Sequence, residues 1–269
     1  MPSSTTLRLK IESDLQHRYP AALTPAPRAV REVATTGISS LDELLDGGLP
    51  VGAISELTGP TSSGRTNIAL AFLASRTKDG SVCAWVDARD AFDPESAAAN
   101  GIGLKHLLWV RCREAPYKQE PSSTNTLRNK SQPWIRLDQA IRATDLLLQA
   151  GGFASIVLDL ADEAIAHGRR IPLATWFRFR QAAGRIRCSL IVLGKASYAQ
   201  SSAALVVECR TDVVEPLSPK VIRGFSYGAQ RGRERFTRVT PLTCKPPVSA
   251  EWSSHAGWDL KKPDLEKRA

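Results

Sequence analysis

The stretch Gly59-Pro60-Thr61-Ser62-Ser63-Gly64-Arg65-Thr66 decides the reading of this chain. It nearly fits the phosphate-loop pattern Gly-x-x-x-x-Gly-Lys-Ser/Thr. In that pattern the glycines let backbone N–H groups wrap a phosphate, and the next helix adds the positive end of its dipole. Thr66 would place a hydroxyl on Mg²⁺, and Arg65 stands where lysine would reach the outer phosphates. A match of this kind arises by chance in about one chain in ten of such length, so its context matters. The apolar run Ala53 to Leu57 precedes it, and Thr66 to Thr77 carries apolar residues at helical spacing. Strand, glycine loop, helix is the context the motif requires. Two readings stay open here: a nucleotide cradle, or a strand–turn–helix without a ligand. Guanidinium is planar and bulkier than ammonium, so Arg65 argues against efficient transfer of a terminal phosphate.

Outward from the loop the chain alternates. Short helices are predicted over Leu41 to Leu45, capped by Ser39-Ser40, and from Pro94 to Asn100. Longer ones span Leu137 to Gln149 and Pro172 to Arg187, and strands fall at Val82 to Val86, Leu107 to Val110, Ser155 to Leu158 and Ser189 to Leu193. Apolar strands alternating with helices predict an α/β fold, a mainly parallel sheet covered by helices on both faces. From Leu205 to Val239 the chain turns basic and strand-like, which places antiparallel strands at the C-terminal edge. Residues 1–35 read as an N-terminal arm, with a short helix over Leu9 to Tyr19 and a linker from Pro20 to Pro27. Residues 36–240 read as the core, 114–134 as a long polar loop within it, and 241–269 as a tail.

Composition narrows the class. The 269 residues are 42% hydrophobic and 23% charged, which is ordinary for a globular chain. No run of 18 apolar residues exists, and no apolar leader opens the chain, so a cytoplasmic location is expected. Five scattered cysteines without metal-ligand spacing suit a reducing compartment and mostly buried thiols. The four histidines are dispersed, and none has a nucleophile or metal partner in the sequence. The 36 basic residues outnumber the 27 acidic ones by 9, which favours an acidic partner such as DNA.

The set of motifs resembles the RecA recombinase core. Thr36-Gly37-Ile-Ser-Ser-Leu41-Asp42, Gly47-Gly48-Leu49-Pro50-Val-Gly52 and Glu56-Leu-Thr-Gly59-Pro60 into the phosphate loop carry the likeness. So does Ala84-Trp-Val-Asp87-Ala88-Arg89-Asp90-Ala91-Phe92-Asp93-Pro94. The likeness is dense over Thr36 to Cys112 and looser from Leu137 to Glu208. It implies a RecA-like P-loop core with ATP and Mg²⁺ as cofactors. Gly59, Ser62, Ser63, Gly64, Arg65, Thr66 and Asp159 would form the nucleotide site, with Thr66 and Asp159 at the metal.

The departures from that family bear on activity. Arg89 stands where RecA proteins keep the glutamate that activates water, and a cation cannot act as a general base. Asp90 is the next residue along and projects to the other face of a strand. Gly194-Lys195 replaces the polar pair that senses the terminal phosphate, and Ala196 to Ser202 is too short for the family's DNA-binding loop. The whole resembles the ImuA-type branch, accessory proteins of damage-induced translesion synthesis. That resemblance implies a weak or inactive ATPase, polymerase-like partners and self-association through the arm. An active DNA-dependent ATPase and a purely structural adaptor are the alternatives.

Two basic segments are candidate DNA contacts. In Trp176-Phe-Arg178-Phe179-Arg180 the aromatics Trp176 and Phe179 read as core, and Arg178 and Arg180 as candidate phosphate ligands. Arg223, Arg231, Arg233 and Arg235, punctuated by glycines, read as a basic hairpin.

Overall fold

The computed structural model describes residues 29–113, 134–218, 221–238 and 247–255, together with Ser13. Strands β1 (Ala29–Arg31) and β2 (Val33–Ala34) lead into α1 (Ser39–Leu44), β3 (Leu49–Pro50) and β4 (Ile54–Thr58). Helix α2 (Arg65–Lys78) follows the phosphate loop, then β5 (Cys83–Asp87), α3 (Pro94–Ala99) and β6 (Leu107–Arg111). Next come α4 (Trp134–Ala150), β7 (Ser155–Asp159), α5 (Ile165–Gly168), α6 (Leu173–Ile186) and β8 (Ser189–Gly194). The chain continues with β9 (Ala203–Ser218), β10 (Val221–Glu234), β11 (Phe236–Arg238) and β12 (Ser249–His255).

Eight strands form one sheet in the order β12-β10-β9-β4-β8-β7-β5-β6. From β9 to β6 neighbours run parallel; β10 and β12 close one edge as antiparallel strands. The mainly parallel sheet with an antiparallel C-terminal edge is therefore as the sequence indicates. Alternation sorts the strand residues into two cores. Leu57, Trp85, Val157, Ile191 and Leu193 pack with Ile68, Phe72 and Leu73 of α2. Ile54, Ala84, Val86, Ile156, Leu158, Leu190 and Val192 pack with Leu137, Ala140 and Leu148 of α4 and Trp176, Phe179 and Ala183 of α6. Successive strand residues face opposite sides, so a strand buried on both faces must be apolar throughout. Trp176 and Phe179 are core, their rings edge to face at 5.9 Å.

Several expectations need correction. The segment read as arm and linker ends in structure: β1 runs parallel to β11, and β2 pairs with β3. The helix expected over Leu9 to Tyr19 and the linker from Pro20 to Pro27 lie outside the described residues, Ser13 apart. The segment read as a tail contains β12, which pairs with β10 from Gly224↔His255 to Gln230↔Ser249. Ser39-Ser40 does not cap α1: the N-cap is Ile38, and the Ser40 hydroxyl donates to the Glu251 carbonyl at 2.6 Å. Asp93 caps α3, accepting from the N–H groups of Glu95 and Ser96, with Pro94 at the first helical position. The four described cysteines are free and buried, and burial pushes the Cys188 and Cys209 thiols up to about 12. No helix among the described residues is long and apolar enough to cross a membrane.

Candidate phosphate loop and basic surfaces

The sheet's register brings the candidate residues to one end. Thr58 lies beside Gly194, and Asp87, Asp159 and Leu193 sit side by side at the carboxyl ends of β5, β7 and β8. In open α/β sheets that end is where ligands bind. The phosphate loop opens there. Gly59 N–H donates to the Gly194 carbonyl at 3.2 Å, and Ser63 N–H to Pro60 at 3.3 Å. Ser62 (φ 61°) and Gly64 (φ 81°) take left-handed conformations, which reverse the chain into α2. Gly64 is required for a second reason. A Cβ there would stand 2.8 Å from the Tyr227 ring and 3.0 Å from Trp252. Trp252 Nε1–H also donates to Asn67 Oδ1 at 3.0 Å, so β10 and β12 brace the loop from outside.

The side chains of the loop divide into exposed and internal. Thr66 and Ser62 are exposed, Ser63 is buried, and Arg65 is only 5% exposed. Burial lowers the pKa of Arg65, opposed chiefly by the Asp159 carboxylate. Burial pushes Asp159 up to about 6, despite the Ala161 N–H that donates to its Oδ1 at 2.9 Å. The Arg65 guanidinium thus lies inside the fold beside the carboxylates that end β7. Its Nη1 and the Ser63 Oγ have no hydrogen-bond partner. Buried polar atoms in native proteins are nearly always satisfied. Those two orphan donors, the loop glycines and the helix start are chemically suited to a phosphate. Thr66 and Asp159 are the side chains that would take the metal beside it. Among the described residues no group of three or more His, Cys, Asp or Glu is placed to hold a metal without a nucleotide.

Arg89 has a defined partner. Its Nη1 lies 3.6 Å from Oε1 of Glu163, a side chain 1% exposed that also meets His167 Nδ1 at 3.2 Å. Asp90 turns away from this crevice with φ 59° and pairs with Arg111 along the sheet edge. The Asp87 carboxylate is consumed by the turn it ends, accepting from the N–H groups of Arg89, Ala91 and Phe92. Glu56, buried in β4, likewise holds the turn after β8 through the N–H groups of Tyr198 and Ala199. Glu163 and Tyr198 were not evident in the sequence. The pairs Glu163–Arg89 and Tyr198–Glu56 join distant segments, and local spacing carries no trace of them.

The structure scatters the candidate DNA ligands. β9 ends at Ser218, ahead of all four arginines, so the basic run is not a hairpin: Arg223, Arg231 and Arg233 lie on β10 and Arg235 just after it. β4 ends where Thr58 meets Glu208, but β9 runs on to Ser218, so the hairpin projects past the phosphate-loop end of the sheet. Arg223 lies near that tip; Arg231, Arg233 and Arg235 lie at the opposite end, opposite the start of β9. Arg231 is tied to Asp46 at 3.3 Å, to Glu234 at 2.9 Å and to the Leu44 carbonyl. Arg233 donates to the Gln200 carbonyl. Arg178 pairs with Asp145 at 2.9 Å, joining α6 to α4. Arg180 and Arg235 are exposed.

A strand–loop–helix of this geometry, under a mixed sheet of this order, defines a P-loop α/β protein of RecA-like fold. Residues 21–115 match the RecA N-terminal domain. The RecA protein of Allorhizobium ampelinum is 39% identical over 129 residues, which are 48% of this chain and 30% of that protein. The RecA protein of Crocosphaera subtropica is 45% identical over 86 residues, 32% of this chain and 25% of that protein. The aligned part therefore spans less than a third of either relative. The RadB recombinase superposes with a TM-score of 0.53 at 18% identity, covering 81% of this chain and 94% of that one.

Proposed function

We propose that this chain is a RecA-like accessory protein of DNA repair, of the branch that serves damage-induced translesion synthesis, and that it turns over ATP weakly or not at all. The observation that carries this reading is the Arg89–Glu163 ion pair. A cation occupies the position from which a RecA-type carboxylate activates water, and the nearby buried carboxylate is neutralised by it. Arg65 adds to the argument, because a planar guanidinium that is only 5% exposed is poorly placed to follow a leaving phosphate. A bound Mg·ATP would supply a charged ligand that ties the loop to the ends of β7 and β8. Gly59, Ser62, Ser63, Gly64, Arg65 and Thr66 would hold its phosphates, and Asp159 its metal.

The same reading assigns the protein a cytoplasmic location, contact with DNA, and polymerase-like partners. The segment ahead of Ala29 is a docking arm for such a partner or for a second copy. Loss of the gene is expected to lower ultraviolet-induced mutation while leaving homologous recombination intact. A recombination defect with normal induced mutagenesis would move the protein to the recombinase side of the family. The alternative, a DNA-dependent ATPase, draws on the exposed Thr66 hydroxyl and the position of Asp159 at the carboxyl end of β7.

A further inference from the structure

The carboxyl ends of β5 and β6 carry a second cluster, on the far side of Asp87 from the phosphate loop. Asp90 accepts from Arg111 through two bonds, Nε to Oδ1 at 2.5 Å and Nη2 to Oδ2 at 2.8 Å. Arg113 Nε stands 3.7 Å from the same carboxylate, and Arg136 at the start of α4 is within its electrostatic reach. Two guanidinium groups, Arg111 and Arg113, therefore share one carboxylate, with Arg136 farther off. The site is also stiff. Arg111 lies over the Trp109 ring, with Cζ 4.4 Å from the centroid, and Trp109 Nε1–H is anchored on Asp87 at 3.3 Å. One face of the Arg111 guanidinium is thus fixed by a ring that is itself fixed.

We propose that this cluster is a phosphodiester-binding site through which the protein holds a nucleic-acid strand, and that Asp90 sits in it as an internal stand-in for the phosphate. The proposal rests on the DNA-linked reading above and places the contact where that reading had not. A guanidinium fork grips carboxylate and phosphate oxygens with the same paired geometry, so a site preformed around Asp90 is preformed for a phosphate. Arg113 is 61% exposed and too far from Asp90 for a hydrogen bond, which leaves it available to a ligand. Among the described residues β6 is the last strand of the sheet on this side. A free nucleotide phosphate shares this chemistry, and competition separates the two.

The experiment is anisotropy of a labelled single-stranded oligonucleotide on the full chain across a salt series. Asp90→Asn keeps a residue tolerant of the left-handed turn and removes the competing charge. It is expected to tighten binding about three-fold, since releasing the Arg111 guanidinium adds a phosphate contact. Asp79→Asn makes the same change of charge at the other end of α2 and is expected to leave affinity near wild type. Arg113→Glu is expected to weaken binding about ten-fold and to reduce the salt slope by about 1. The proposal is overturned if Asp90→Asn binds no tighter than Asp79→Asn, or if Arg113→Glu keeps the wild-type affinity and slope. Displacement of the oligonucleotide by free ATP at equal phosphate concentration, if it persists in Arg65→Ala, would also overturn it, assigning the cluster to a mononucleotide. Failure of the wild type to bind the oligonucleotide at low salt would remove the DNA contact of the broader reading as well.

Discussion

Asp87→Ala is expected to destabilise the protein by about 3–5 kcal/mol, since each buried donor left unsatisfied costs about 1–3 kcal/mol. The Asp87 carboxylate is 1% exposed and accepts from the N–H groups of Arg89 at 3.2 Å, Ala91 at 3.0 Å and Phe92 at 2.8 Å. Trp109 Nε1–H adds a fourth bond at 3.3 Å. Alanine strands all four donors, of which the Phe92 N–H is fully buried and the others partly so. The turn they define also presents Arg89 to Glu163 and Asp90 to Arg111, so its loss disorders both ends of the crevice together. Asp87→Asn keeps the shape but exchanges one acceptor for a donor, and should fall between the two. Urea unfolding followed by tryptophan fluorescence gives the comparison. An alanine variant within 1 kcal/mol of wild type (about five-fold in the folding equilibrium) would mean that the turn has other support.

Gly59→Ala is the second large expected effect. A Cβ on Gly59 would lie 2.3 Å from the Cys209 carbonyl oxygen and 2.7 Å from Ser63 Oγ. The serine can rotate; the carbonyl belongs to β9, which is held to β4 and β10 by its ladders. Relief therefore requires the loop to lift or β9 to separate from β4. Overpacking of this kind costs about 1–3 kcal/mol, and strain against backbone places this case at the upper end. At about 2–4 °C per kcal/mol for a chain of this size, Tm should fall by roughly 6–12 °C. Gly80→Ala is the matched control: φ is also positive (78°), but nothing lies within 4 Å of the added Cβ. A Gly59 variant as stable as the Gly80 variant would show that the approach of β9 does not constrain the loop.

The strand–glycine loop–helix and the sheet were legible because their signals are local. Ala53 to Leu57 and Val82 to Val86 are apolar without interruption, and only strands buried on both faces read that way. Gly64, Arg65 and Thr66 are adjacent, so the motif and its departure from lysine stand together in the chain. The outer edge was harder to read. β12 is Ser-Ala-Glu-Trp-Ser-Ser-His, a polar strand whose fit depends on β10 and on the Trp252 contact with Asn67. β1 has three residues, and its partner β11 lies about two hundred positions away. The partners of the arginines were equally out of reach of local spacing: Asp46 meets Arg231 and Asp145 meets Arg178 only in the fold. Meanwhile Arg111 and Arg113 drew no notice, since the feature that gives them meaning is Asp90, brought beside them by the pairing of β5 with β6.

The central claim is that this glycine loop, with a buried Arg65 in place of lysine and Arg89 in place of the activating glutamate, does not drive hydrolysis. Steady-state release of phosphate from Mg·ATP by the purified chain, with and without single-stranded DNA, tests it most directly beside Arg65→Ala. The account predicts little or no turnover, unchanged by DNA and by Arg65→Ala. DNA-stimulated turnover by the wild type that disappears in Arg65→Ala would contradict it, because Arg65 would then be acting on the phosphates as the missing lysine does.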